Sequence, residues 1–239
     1  MGSQFSQMFP PKPKFTESSL SDLQGKIYIV TGASAGVGKE LARLLYSRNA
    51  TVYLAARNAE RTQVAIDWIS ESHPDSRGAL NFLKLDLSDL EGIKPVVNEF
   101  LAKEKRLDVL FNNAGVMVPP QGSVTKQGYE LQLGTNCLGP FLLTKLLTPL
   151  LLQTAKTSPA GTVRVVWVSS SAAHLMAPKG GVNMQNLDYK TDEPDWKKYG
   201  TSKGGNVLHA VEYQRRYQSQ GLVSVVSLIL RTTPCTNTR

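Results

Sequence analysis

The chain has 239 residues, 41% of them hydrophobic and 19% charged; that is apolar enough for a sizeable core and too sparsely charged for a wholly disordered chain, and one α/β domain often runs this long. Lys and Arg number 27 against 19 Asp and Glu, a net charge of +8, which draws phosphate-bearing ligands, acidic partners or anionic lipid without choosing among them. With only Cys137 and Cys235, a disulfide framework and a CxxC-type zinc site are excluded, and a reducing, cytoplasmic setting is expected.

In chain order, residues 1–24 read as a flexible leader in which Pro10-Pro11-Lys12-Pro13 bars regular helix. Its start, Met1-Gly2-Ser3-Gln4-Phe5-Ser6, fits the loose pattern for N-myristoylation at Gly2, a weaker reading that would associate the chain with a membrane. One domain is expected over 25–230. Short apolar strands are predicted over 26–31, 51–55, 80–85, 107–111, 163–168 and 223–230. Helices are predicted over 37–47, 59–72, 89–103, 127–153 and 196–218, the fourth kinked at Gly139-Pro140. The most apolar run, 138–152, is broken by Pro140, Lys145 and Pro149, so no transmembrane span is expected. Strands apolar on both faces, alternating with helices, predict a doubly wound parallel sheet of the Rossmann type. Its ligands sit at the carboxyl ends of the strands, near the switch between strands one and four.

The informative residues are therefore those that follow each strand. After the first comes Thr31-Gly32-Ala33-Ser34-Ala35-Gly36-Val37-Gly38. Gly32 permits a tight turn, Gly36 lets a pyrophosphate approach the backbone, and Gly38 lets the first helix pack close to the sheet. Ser34 and Val37 lie in the same turn and count as cofactor contacts. After the second strand, Arg57 stands where an acidic residue would favour NAD. It suits a 2′-phosphate, the alternative being a solvated surface arginine; Lys39 and Arg61 are helix-surface charges placed to assist it. Asp86, after the third strand, either bonds an adenine amino group or caps the next helix. Asn112-Asn113-Ala114-Gly115 either leaves room for a ribose or nicotinamide or is an ordinary Asn-rich turn.

Ser169-Ser170-Ser171 follows the fifth strand, and Tyr199 and Lys203 share a helix face beyond it. A neighbouring ammonium lowers a phenol pKa from about 10 toward that of a usable base. A serine at the end of the adjacent strand can hold a substrate oxygen against the tyrosine hydroxyl. His73, His174 and His209 show no ligand spacing, and no metal site is expected. Trp68, Trp167 and Trp196 read as core residues. The basic residues are scattered, which argues against nucleic-acid binding.

Together these residues resemble the short-chain dehydrogenase/reductase family over about residues 25–228. Thr31-Gly32-x-x-x-Gly36-x-Gly38, Asp86, Asn112-Asn113-Ala114-Gly115, Asn136, Ser170 and Tyr199-x-x-x-Lys203 occur in order and after the right strands. Tyr53-Leu54-Ala55-Ala56-Arg57 and Ser202-Lys203-x-x-Asn206 are similar to its retinol-dehydrogenase-like branch. The resemblance implies transfer of a hydride between the nicotinamide of NADP and a carbonyl compound or alcohol. It implies Tyr199 as general acid/base, and Lys203 as the residue that binds the nicotinamide ribose and lowers the tyrosine pKa. Ser170, rather than Ser169, would orient the substrate oxygen, and Asn136 would hold a water in the proton relay. Asn113 would meet the cofactor ribose and Asp86 the adenine, and Arg57 makes NADP the expected cofactor. The interval from Ser170 to Tyr199, with Met176, Pro178, Gly180-Gly181 and Met184, is expected to loop over the site. With Val116-Met117-Val118 it favours a lipophilic substrate. Similar proteins usually dimerise through the fourth and fifth helices.

The chain departs from the family pattern after Ser227-Leu228. The family continues with a Pro-Gly turn, another helix, a seventh strand and a substrate lid, whereas here Pro234 is followed by Cys235 in an irregular 231–239 tail. The expected consequences are six strands without a seventh and an exposed apolar edge at the sixth. A truncated or misread C-terminus is the favoured expectation, with coverage by another protomer as the other. The alternative function is accordingly a truncated cofactor-binding or interaction protein without turnover.

Overall fold

The computed structural model describes residues 16–229. The start of the leader with Gly2, and the tail with Pro234 and Cys235, lie outside the described residues. The elements are β1 (Ile27–Thr31), α1 (Gly36–Tyr46), β2 (Thr51–Ala56), α2 (Ala59–Ser72), β3 (Ala79–Lys84), α3 (Leu90–Lys103), β4 (Val109–Asn112), α4 (Leu131–Lys156), β5 (Arg164–Ser170), a short α5 (Ala172–Leu175), α6 (Asp195–Tyr217) and β6 (Val223–Ile229). The six strands pair in parallel in the order β3-β2-β1-β4-β5-β6. This is the doubly wound sheet that the strand–helix alternation predicts, with its order reversing between β1 and β4.

Side-chain alternation along the strands separates two cores. Ile27 and Ile29 of β1, with Tyr53 and Ala55 of β2, face Phe100 of α3, Leu143 and Leu147 of α4 and Tyr213 of α6. Tyr28, Val30, Val52 and Leu54 face Ala42 and Leu45 of α1 and Ala65 and Ile69 of α2. Burial on both faces is why these strands carry no polar alternation. Each buried Leu or Ile contributes roughly 1.5–3 kcal/mol. Trp167 belongs to the first core at 1% exposure, but Trp68 and Trp196 are 38% and 51% exposed and are not core residues.

Two boundaries depart from the expected ones for local reasons. Residues 127–130 form a turn rather than helix. Gly128 has φ 80°, Thr125 N–H donates to Tyr129 O at 2.8 Å, and α4 starts where the Glu130 carboxylate accepts the Leu133 N–H at 2.7 Å. Before Gly139-Pro140 the helix passes through a π turn over Gly134–Leu138, with the Gly139 N–H reaching Gly134 O. Pro140 has no N–H to give, and the wider turn absorbs the missing bond; Gly139 has no Cβ to strike the Leu87 backbone it passes. Helix α4 is long and apolar enough to cross a membrane, with a mean hydropathy of 1.3, but 61% of that window is buried in the fold.

Candidate active site

The crevice at the switch point is built around Thr31. Its hydroxyl donates to Phe111 O at 3.1 Å and accepts the Asn113 and Ala114 N–H groups, both at 2.9 Å. The Asn113 amide nitrogen donates to Thr31 O at 2.9 Å. The end of β1 is thereby joined to the end of β4, and Asn113 keeps its amide oxygen and one amide hydrogen for a ligand. Gly32 has φ 69°, and a Cβ on it would lie 2.9 Å from Ala114 Cα. A Cβ on Gly38 would lie 2.6 Å from Gly32 O, so α1 can start this close to the turn only with glycine there. Gly36, with φ 55°, has open space where its Cβ would be. The N-cap of α1 is Ala35, which has no side chain to offer the first-turn N–H groups. They are left for an anion.

A cavity of about 700 Å³ runs along the carboxyl ends of the strands. Gly32, Ser34, Gly36, Val37, Gly38, Arg57, Asp86, Asn113, Ser170, Tyr199 and Lys203 all line it. Arg57 is exposed at the end of β2, without an ion-pair partner among the described residues. Lys39 instead sits over the Trp68 ring at 3.8 Å. Asp86 accepts the Ser88 N–H at 2.9 Å and the Ser88 hydroxyl at 2.6 Å. The helix cap that was its alternative role falls to Asp89, the N-cap of α3.

Tyr199 and Lys203 lie one turn apart on α6, with the Lys203 nitrogen 5.9 Å from the Tyr199 ring centre. Lys203 is 4% exposed and donates to Val168 O at 3.0 Å; Asn206 donates to the same carbonyl at 3.1 Å. Burial pushes the Lys203 ammonium down from 10.5 to about 8. The two neighbouring serines differ. Ser169 is buried and its hydroxyl donates to Lys203 O at 2.8 Å, so it fastens α6 to β5. Ser170 is less buried, and its oxygen accepts the Ala172 N–H at 3.2 Å, which leaves the hydroxyl hydrogen for a ligand.

Asn136 lies behind the cavity wall. Its oxygen accepts the Val116 N–H at 2.7 Å, and its two amide hydrogens go to Val116 O at 2.8 Å and Ser202 Oγ at 3.0 Å. Both side-chain donors are thus spent on bracing. Gly115 separates Asn136 from Lys203: a Cβ there would lie 3.1 Å from the Asn136 oxygen and 3.2 Å from the Lys203 nitrogen. Two residues that the sequence did not single out join this framework. Gln132 is fully buried next to the same loop, and Lys198, 5% exposed, pairs with Asp192 at 2.7 Å at the start of α6. A buried amide one turn before Asn136 on an apolar helix was the available signal for Gln132.

The interval from Ser171 to Pro194 packs against α6 through glycines. A Cβ on Gly200 would lie 2.8 Å from Ala177 N, and Gly204 touches the Gly181 backbone. Leu175 and Met176 thereby reach the cavity, where they join Val116, Met117 and Trp196. Trp196 sets its ring edge-on to Tyr199 at 6.0 Å. Met184, 74% exposed, and Val118 lie off the cavity. His174 is exposed away from it, and His209 is held by the Cys137 sulfur at 3.2 Å and stacked between Phe141 and Trp167.

A parallel sheet in the order 3-2-1-4-5-6, with a glycine turn at its switch point, defines a Rossmann-like fold. The sequence profile described as short chain dehydrogenase matches residues 26–238. The chain belongs to the short-chain dehydrogenase/reductase family. A short-chain dehydrogenase/reductase of Phomopsis amygdali is 56% identical over 92% of this chain and 66% of its own length. The chain thus spans about two thirds of the length of that curated relative. A crystal structure of a Mycobacterium paratuberculosis protein is 31% identical with a TM-score of 0.73, over 93% of this chain and 74% of that one. A short chain dehydrogenase of Escherichia coli, solved in complex with NADPH, is 27% identical with a TM-score of 0.64, over 85% and 76%. Three curated relatives, 48–56% identical, are fungal short-chain dehydrogenase/reductases rather than retinol dehydrogenases, so the family is shown and the narrower branch expected from Tyr53–Arg57 and Ser202–Asn206 is not.

Proposed function

We propose that the chain is an NADP-dependent oxidoreductase that moves a hydride between nicotinamide and a lipophilic carbonyl compound or alcohol. One observation carries the reading: a single cavity has the uncapped N-terminus of α1 at one end and Ser170, Tyr199 and Lys203 at the other. The residues fit NADP. The first-turn N–H groups and the open backbone of Gly36 suit a pyrophosphate, and Arg57 suits a 2′-phosphate. Asp86 would meet the adenine, and Asn113 and Lys203 the ribose; all three line the cavity. The NADPH in the Escherichia coli relative supports the same reading.

Bound NADP would supply or accept the hydride. Ser170 and Tyr199 hydroxyls hold the substrate oxygen between them. In reduction the Tyr199 hydroxyl gives its proton to that oxygen, and in oxidation the phenolate takes it back. The buried Lys203 ammonium stabilises the phenolate more strongly than it would in water. Val116, Met117, Leu175, Met176 and Trp196 exclude water from the substrate side and favour an apolar substrate body. A cytoplasmic setting is part of the same proposal and rests on the low cysteine content alone.

The test is an NADPH fluorescence titration, followed by NADPH consumption across a panel of aromatic and aliphatic carbonyl compounds. Tyr199→Phe should keep NADPH affinity and lose turnover by at least about 100-fold. If neither NADPH nor NADH binds at millimolar concentration, the reading is wrong.

A further inference from the structure

Gln132 is fully buried on α4, one turn before Asn136, and both ends of its amide are used. The Val118 N–H donates to Oε1 at 3.0 Å, and Nε2 donates to Asp195 O at 3.0 Å. Val118 has φ 47°, a left-handed backbone that a β-branched residue adopts only when its surroundings hold it there. Asp195 opens α6, and in the helical pattern its carbonyl also accepts the N–H of Tyr199, four residues on. One side chain therefore joins a strained point in the 116–118 loop to the carbonyl from which the Tyr199 backbone hangs. Asn136 does the same a turn further along, joining Val116 to Ser202, the neighbour of Lys203. The loop so held carries Met117 into the cavity that Tyr199 also lines.

We infer that Gln132 is a positioning residue that sets the gap between the Met117 wall and the Tyr199 phenol, the slot a carbonyl substrate enters. An apolar side chain of equal length would fill the same space. The amide supplies an acceptor to the loop and a donor to the helix at once. The catalytic consequence rests on the proposed oxidoreductase reading; the brace itself does not.

The test uses the full chain with two substitutions. Gln132→Met keeps the length and loses both bonds. Gln132→Glu keeps the acceptor, lacks the donor while ionised, and regains one when protonated. The charged groups on the adjoining segments are Glu130, Asp192, Glu193, Asp195, Lys197 and Lys198. Three quantities are measured: hydrogen–deuterium exchange over 116–119 and 195–200, NADPH affinity, and kcat and KM for NADPH-driven reduction of 4-nitrobenzaldehyde. In Gln132→Met, exchange in both segments should rise about tenfold, NADPH affinity should stay within about twofold, and kcat should fall at least about tenfold. In Gln132→Glu, protection and kcat relative to the unaltered chain should recover as pH falls, a limb that simple space-filling would not produce. Unchanged exchange in both variants overturns the brace. Altered exchange with unchanged kcat and KM overturns the positioning role. If the unaltered chain binds NADPH but reduces no carbonyl compound, the oxidoreductase reading fails, and the exchange data still decide the brace.

Discussion

The Lys203 ammonium is fixed to Val168 O at 3.0 Å and stands 5.9 Å from the centre of the Tyr199 ring. Burial brings its pKa down to about 8, so its charge is lost within an accessible pH range. The folded value lies below the unfolded one. The unfolded chain therefore binds more protons between about 8 and the ordinary lysine value, and this group makes stability rise with pH across that window. Function should run the other way. NADPH affinity and turnover are expected to fall as pH passes about 8, because the ammonium beside the ribose and phenol is lost. A pH series of NADPH titrations and urea unfolding curves checks both signs.

Lys203→Met extends the same point. It removes a buried charge, and Val168 O keeps Asn206 as its donor. Stability at neutral pH should hold or rise by about 1 kcal/mol while NADPH-dependent turnover drops at least about 100-fold. Thermal unfolding and steady-state kinetics on one preparation would show the two properties moving apart.

Gly32 and Gly36 have similar backbone angles and different neighbours. At Gly32 a methyl meets the Ala114 backbone, so Gly32→Ala should lose about 1–3 kcal/mol of stability to the clash beyond the left-handed strain of about 1–2 kcal/mol that both positions share. At Gly36 a methyl has open space, so Gly36→Ala carries only the left-handed strain of about 1–2 kcal/mol. Its methyl stands where a pyrophosphate would approach, so NADPH affinity should fall at least about tenfold. Chemical unfolding and NADPH titration of the pair separate the two effects.

Arg57 stands alone at the end of β2, and its role depends on charge. Arg57→Asp should weaken NADPH by at least about tenfold and leave NADH affinity equal or improved. Equal loss for both nucleotides would remove the 2′-phosphate assignment.

Asp108 anchors the opposite end of the sheet. At 2% exposure it accepts the Ile27 N–H at 2.9 Å, a two-point contact from Arg106 at 2.9 and 2.7 Å, and Lys26 at 3.2 Å. Burial pushes its pKa up, but Arg106, the Ile27 N–H and Lys26 outweigh it, and the net value lies below the usual carboxylate range. Its stabilising contribution is present above the unfolded value of about 3.9 and is lost as pH falls through the lower folded one. Asp108→Ala leaves the buried Ile27 N–H without its acceptor, while Arg106 is 36% exposed and stays hydrated, so the loss should be about 1–3 kcal/mol. Urea unfolding at pH 7 and at pH 3 should show the variant's deficit shrinking in acid.

Much of this protein is local and periodic, and that part was legible in the sequence. Apolar runs bounded by glycine set the strands, helical spacing set the covering helices, and the Gly32–Gly38 turn, Tyr199 and Lys203 sit where strand order and an i,i+4 step place them. Residues with two plausible partners were decided only by the tertiary structure. Ser169 is taken up by the Lys203 carbonyl and Ser170 is not. Asn136 spends its donors on Val116 and Ser202. Gln132 acquires a role because the 116–118 loop and the start of α6 converge on it. The physical reason is that an amide or hydroxyl has the same chemistry wherever it lies in the chain. Which of its donors and acceptors stay available depends on backbone groups distant in sequence, and folding alone brings those within 3 Å or so of one another.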